Sequence, residues 1–161
     1  MINSPNNSSN IELFELISQT KALAKRYYSL TGRPLGVIGE IAEFEAARLL
    51  GLELAPVREP SVDATMMIES GKFTFQIKGR AVTTIEKYVG RVPNIKLQPS
   101  FDFCILVLID KSTYEPIELW RATYNAIKAR LIAPGSKSRN DRGSMGISQF
   151  KSIAERVWPP K

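Results

Sequence analysis

The segment VDATMMIESGKFTFQIK, residues 62–78, decides how this chain is read. Two runs of alternating apolar and polar residues, 62–69 and 72–79, flank Ser70-Gly71, and that pattern predicts a β-hairpin. A two-residue turn there pairs Glu69 with Lys72. Counting back, it pairs Met67 with Thr74, Thr65 with Gln76 and Asp63 with Lys78. Cross-strand partners share a face. One face then carries Ala64, Met66, Ile68, Phe73, Phe75 and Ile77, all apolar. The other carries Asp63, Thr65, Glu69, Lys72, Thr74, Gln76 and Lys78, with Met67 as its only apolar member. A slip of one residue would mix the two faces, so the register is self-consistent.

Downstream, residues 103–109 form an unbroken apolar run. It predicts a buried central strand over 101–110 and is far too short to span a bilayer as a helix. Upstream, Ile11, Phe14, Leu16, Ile17, Leu23 and Ala24 recur at helical spacing over 11–30, with Asn10 as N-cap. A second helix runs over 34–50, with Pro34 in its first turn and Gly51 just past its end. Val37, Ile41 and Phe44 share one face of it, and Glu40 lies off that face. Residues 52–58 read as a short strand broken by Pro56. Residues 80–100 read as irregular because of Gly90, Pro93 and Pro99. Then come a strand at 117–121, a helix capped by Thr123 and ending at Ile132, a polar basic loop over 133–146 and a helix over 147–158. Residues 1–10 read as a disordered tail. The sum is one α/β domain over 11–158, a mixed central sheet flanked by helices with extra helices at both ends.

The chain has 161 residues, 43% of them hydrophobic and 24% charged, which fits one soluble globular domain. It has no histidine, so His-based triads, general bases and metal ligands are excluded. The single Cys104 excludes an intramolecular disulfide and a cysteine zinc cluster. With no apolar run near the N-terminus, it points to the cytoplasm and away from membranes. Catalysis, if present, must use carboxylates, lysine, tyrosine, serine or an oxygen-held metal. The net charge of +6 favours an anionic partner such as nucleic acid.

The polar hairpin face carries the chemistry. Mg²⁺ takes oxygen ligands and keeps several waters, so a carboxylate, an amide oxygen and a backbone carbonyl suit it. Asp63 supplies the charge, Gln76 a side-chain oxygen and Ile77 the carbonyl between. Lys78 is a point charge beside the attacking water or the phosphate. Glu40 on the preceding helix is the candidate second carboxylate.

In order along the chain, GVIGEIAE (36–43), VDA (62–64) and QIKGR (76–80) resemble the PD-(D/E)XK nuclease superfamily. The likeness is strongest to its Gln-containing branch, as in Mrr-type restriction endonucleases, and to small bacterial domains of that fold. It covers residues 33–132. It implies a restriction-endonuclease-like αβββαβ core, with a crossover helix after Lys78, and Mg²⁺-dependent phosphodiester hydrolysis in DNA, Mn²⁺ being the alternative metal. By motif position, Asp63, Gln76 and Lys78 carry over as the D-(E/Q)-x-K residues and Glu40 as the helical acid. Val62 stands where the family has proline. Gln76 stands where most members have an acid, which lowers the charge of the site. Such enzymes often dimerise to cut both strands, so a homodimer is among the implied partners, as is a protein that supplies specificity.

Arg80, Lys87, Arg91 and Lys96 follow the motif, with Tyr88 among them. Lys137, Arg139, Arg142 and Lys151 form a second basic cluster. Both suit phosphate contacts, which position a strand without reading its sequence. Solvated loops are the alternative. Two further classes of function remain open at this point. One is a nuclease-fold nucleic-acid-binding module without activity, and the other is a protein-interaction domain of a defence or toxin system.

Overall fold

The computed structural model describes residues 7–56, 59–83, 89–134 and 143–160. Its elements run α1 (Asn7–Thr31), α2 (Ile38–Leu50), β1 (Glu53–Leu54), β2 (Ala64–Ile68), β3 (Gly71–Val82) and β4 (Phe103–Asp110). They continue with β5 (Pro116–Thr123), α3 (Tyr124–Ile132), α4 (Ile147–Ser152) and β6 (Glu155–Trp158). The strands make one six-stranded sheet in the order β1-β2-β3-β4-β5-β6. Only the β3–β4 pair is parallel, so this is an α/β protein with a mixed sheet and helices packed against it. No helix among the described residues is long and apolar enough to cross a membrane.

The apolar run at 103–109 becomes β4, third from one edge of the sheet, with residues 104–109 all buried. Its side chains alternate between two cores. Ile105, Val107 and Ile109 join Ile41, Ala42, Phe75 and Ile77 under α2. Cys104, Leu106 and Leu108 join Val92, Ile95, Ile127 and Phe150 on the opposite face. A strand buried on both faces reads as continuous hydrophobicity, which is why this run stood out.

The hairpin forms with its predicted faces but in a different register. Ile68 pairs with Gly71, Met67 with Lys72, Thr65 with Thr74 and Ala64 with Phe75. The turn is therefore Glu69-Ser70, and Gly71 opens β3 at φ 134°, a conformation that only glycine adopts without strain. This corrects the expected pairing by two residues. Parity survives a two-residue slip, so Ala64, Phe75 and Ile77 still enter the core, with Met66 and Phe73 at its margin. Asp63, just outside the ladder, donates its N–H to the Phe75 carbonyl and no longer stands opposite Lys78.

Several boundaries also differ. Helix α1 begins at Asn7, so part of the expected tail is helical and Asn10 is not its cap. Helix α2 begins at Ile38 rather than Pro34. Residues 34–37 are drawn into a tight turn, Val37 N–H donating to the Leu35 carbonyl at 2.8 Å, while Leu35 N–H donates to the Tyr114 hydroxyl at 3.2 Å. The expected strand at 52–58 shrinks to Glu53–Leu54, and β3 extends to Val82. The helix expected over 147–158 stops at Ser152, and Glu155–Trp158 forms β6 instead. It completes the open edge of β5, where the Arg121 guanidinium pairs with Glu155 across the strands. Two readings hold at residue level. Gly51 closes α2 in the left-handed conformation (φ 67°, ψ 37°), and Thr123 Oγ1 caps α3 by accepting from Ala126 N–H at 3.2 Å.

A parallel β3–β4 pair needs a connection that crosses one face of the sheet. The resemblance implied a helix there, but residues 89–102 cross without one. Pro93 and Pro99 deny the segment a helical ladder. It packs Val92 and Ile95 into the second core and pairs instead with the strip before α4. Val92 N–H donates to the Met145 carbonyl (2.9 Å), Ile95 N–H to Gly143 (3.0 Å) and Ile147 N–H to Gly90 (3.1 Å).

Helix α1 is tied down by a buried charge cluster. Lys21 Nζ donates to Glu45 Oε1 at 2.5 Å and to Glu115 Oε2 at 2.9 Å. The other oxygen of Glu45 accepts from Arg48 Nη2 at 2.6 Å. One ammonium on α1 thus joins α2 to the β4–β5 turn. A second buried pair, Lys151 with Glu118 at 2.8 Å, fastens α4 to β5.

Candidate functional site

Asp63 sits one residue before β2 begins, alongside β3. Its N–H donates to the Phe75 carbonyl (2.8 Å), and its carbonyl accepts from Ala55 N–H (2.9 Å), so its backbone is held from both sides. Its side chain bends to β3, where Oδ2 accepts from Ile77 N–H at 2.6 Å. In a strand the N–H and carbonyl of one residue point to the same edge. The Ile77 carbonyl therefore faces the edge on which Asp63 sits. Lys78, half-buried, is the next residue along β3.

The opposite wall comes from α2. A Cβ added at Gly79 would lie 2.6 Å from the Ala42 Cβ and 2.9 Å from the Ile38 carbonyl oxygen. Glycine is thus what lets α2 lie directly on β3, beside Lys78. That contact brings Glu43 to the site, half-buried, with exposed Glu40 one turn before it. Residues three apart on a helix are neighbours on its surface. The Glu43 carboxyl is held above its ordinary value, first by burial, then by the negative charges of Asp63 and Glu40, with Lys78 opposing. Three acids and one lysine therefore share one electrostatic neighbourhood. Sequence reasoning nominated Glu40 and missed Glu43; the available signal was their shared face.

Gln76 is placed differently from its neighbours. It is 1% exposed and both ends of its amide are engaged by one backbone. Nε2 donates to the Lys96 carbonyl at 3.0 Å, and Oε1 accepts from Lys96 N–H at 3.1 Å. The amide thus acts as a main-chain mimic that pins the crossover segment to β3. Its oxygen retains one lone pair. Cys104, paired with Gln76 in the β3–β4 ladder, is fully buried, and burial pushes its thiol up to about 12. It is inert core, as expected for a cysteine in an apolar strand.

Arg80, Arg91 and Lys96 are exposed around this crossover. Arg80 lies two residues past Lys78, its guanidinium over Gly90. Arg91 Nε donates to Ser144 Oγ at 2.8 Å. Lys87, Lys137, Arg139 and Arg142, also expected to meet phosphate, lie outside the described residues, as does Tyr88. No protein-family model matches the chain, and a search of curated proteins finds no match.

Among the described residues, no three Asp, Glu or Cys side chains come close enough to enclose an ion by themselves. The donor set nonetheless suits Mg²⁺, which binds through one or two carboxylates and keeps its waters. Asp63 Oδ1, the Ile77 carbonyl and Glu43 are the oxygens available, and a cation would relieve the crowding that raises Glu43. The sign follows from linkage. Glu43 titrates above the ordinary 4.5 in the folded chain, so its ionised form opposes folding. Its favourable share is complete below the ordinary value and is lost as pH rises through the raised one. Glu43→Gln should therefore raise Tm by a few degrees at neutral pH and leave it unchanged in acid below the ordinary glutamate range. Mg²⁺ should raise the wild-type Tm at neutral pH more than that of the variant. Melting curves at both pH values, with and without Mg²⁺, check this.

Proposed function

We propose that this chain is a metal-dependent nuclease that hydrolyses phosphodiester bonds, with DNA as its substrate. The observation that carries this reading is Asp63 locked to the Ile77 amide beside Lys78, with Glu43 of α2 half-buried in the electrostatic neighbourhood of Asp63, Glu40 and Lys78. Asp63, Glu43 and the Ile77 carbonyl would hold Mg²⁺ or Mn²⁺. Such an ion, when bound, polarises a phosphate oxygen and lowers the pKa of a bound water. Lys78 places a positive charge where the phosphate becomes more negative during attack. Gln76 keeps the crossover at a set distance from β3. Arg80 and Arg91 hold the nucleic-acid backbone.

The test is cleavage of plasmid and single-stranded DNA with Mg²⁺ and with Mn²⁺. Wild type should cut, EDTA should stop it, and Asp63→Ala and Lys78→Ala should each lower the rate by about 100-fold or more. Cleavage that survives both substitutions would refute the assignment. A second reading has its own observation. The Gln76 amide is already occupied at both ends by Lys96, which favours a nuclease-fold module that binds nucleic acid without cutting it. That module would bind DNA in a salt-sensitive, EDTA-indifferent manner and would never cleave.

A further inference from the structure

Four consecutive residues of the crossover are held by four different partners. Ile95 N–H donates to the Gly143 carbonyl at 3.0 Å. The Lys96 N–H and carbonyl both close on the Gln76 amide, at 3.1 and 3.0 Å. The Leu97 carbonyl accepts from the Tyr124 hydroxyl at 3.2 Å, and the Gln98 carbonyl from Ser61 Oγ at 3.2 Å. Ser61 lies two residues before Asp63, so the last bond ties the crossover to the strip that carries the acid. Within this frame Ile95 is buried, Leu97 packs against the same core, and Lys96 between them is exposed. The backbone of Lys96 is fixed while its side chain stands in water.

We propose that Lys96 is a fixed phosphate contact and that Gln76 is the residue that positions it, so that Gln76 serves the grip on the nucleic-acid backbone rather than the cation. The proposal rests on the nucleic-acid reading of the chain and is independent of cleavage. Alternate residues of a strand face the same side of its sheet. Phe75 and Ile77 enter the core under α2, so Gln76 and Lys78 face the other side, where the crossover lies. Lys78 on β3 and Lys96 on the strip hydrogen-bonded to it therefore belong to one side of the sheet. A lysine on a loose loop loses much of what a phosphate offers to the entropy of ordering its chain. A backbone fixed in advance removes part of that cost. The amide suits this task because it offers a donor and an acceptor side by side, matching the carbonyl and N–H of one extended residue. A carboxylate at the same place would accept from Lys96 N–H but turn a second acceptor toward the Lys96 carbonyl. The neutral residue at the motif position thus has a use that an ionised acid could not serve.

The test is the salt dependence of DNA binding by the full chain, read by fluorescence anisotropy with a short labelled duplex in EDTA between about 50 and 200 mM salt. Each phosphate contact contributes about 0.9 to the slope of log K against log salt. Lys96→Ala should lower the slope by that amount. Gln76→Met removes no charge, yet it should lower the slope nearly as much, and Lys96→Ala added to it should lower it no further. A purely structural role for Gln76 would move Tm and leave the slope alone. Gln76→Asn keeps the amide but is one carbon short of Lys96; it should behave in the same way and covers a Gln76→Met that does not fold. Arg91 is held by Ser144 and serves as the control: Arg91→Ala should lower the slope equally in wild type and in the Gln76 variant. A full slope in the Gln76 variants, additive losses with Lys96→Ala, or loss of the Arg91 share as well would each overturn the inference while the wild type still binds. Loss of Mg²⁺ stabilisation in Gln76→Met would return Gln76 to the cation and overturn it too. A wild type that binds no DNA would overturn it together with the nucleic-acid reading.

Discussion

Replacing Glu45 with alanine should lower stability by about 3–5 kcal/mol, a Tm drop of roughly 10 °C. Glu45 is 2% exposed and accepts from both Lys21 and Arg48. Without it, Lys21 remains buried with only the exposed Glu115 as partner. An uncompensated buried charge is the expensive outcome; the intact pair itself contributes little beyond what apolar packing would. Lys21→Met combined with Glu45→Leu should therefore recover most of the loss. Calorimetry on the single and double variants decides it. A loss under about 1 kcal/mol for Glu45→Ala would mean that water reaches the cluster and screens it.

Gly79→Ala should be nearly as damaging to stability and more damaging to function. The new methyl would meet the Ala42 Cβ at 2.6 Å and the Ile38 carbonyl at 2.9 Å, so α2 must lift from β3. Overpacking of this kind costs about 3 kcal/mol. The helix that lifts is the one carrying Glu40 and Glu43, so divalent-ion stabilisation and cleavage should fall further than the Tm alone explains. Ala42→Gly in the same chain removes the closer contact and leaves the Ile38 carbonyl, so it should rescue partially. Unchanged Mg²⁺ stabilisation in Gly79→Ala would show that α2 contributes nothing to the ion.

The parts of this molecule that were legible in sequence are those where one residue's chemistry speaks for itself. The run at 103–109 could only be buried, Thr123 and Gly51 marked helix ends, and the alternation around Ser70 separated two faces. The alternation does not fix the hairpin register because its period is two: a slip of two residues leaves every side chain of β2 and β3 on the same face. Glu155–Trp158 was read as helix because nothing local reveals that β5 needs a partner. The site was half legible. Asp63 and Lys78 both bear on the charge of Glu43, though the register does not set them opposite each other as their spacing suggested. The Lys96 backbone on Gln76 was invisible, since a main-chain partner leaves no mark on composition. Glu43 was passed over because its role depends on how α2 is rotated over Gly79.

The strand order has a kinetic consequence. Every neighbouring pair of strands is also consecutive along the chain, and β1–β2–β3 and β4–β5 can each assemble from short-range contacts, whereas β6 must return from beyond α3 and α4 to reach β5. The two halves meet at one seam, the parallel β3–β4 ladder, whose closure must wait for the long crossover to be ordered. That seam runs past Gln76, Ile77 and Lys78. The residues around which the chemistry is proposed thus come into place where two parts of the sheet join, and not within either of them.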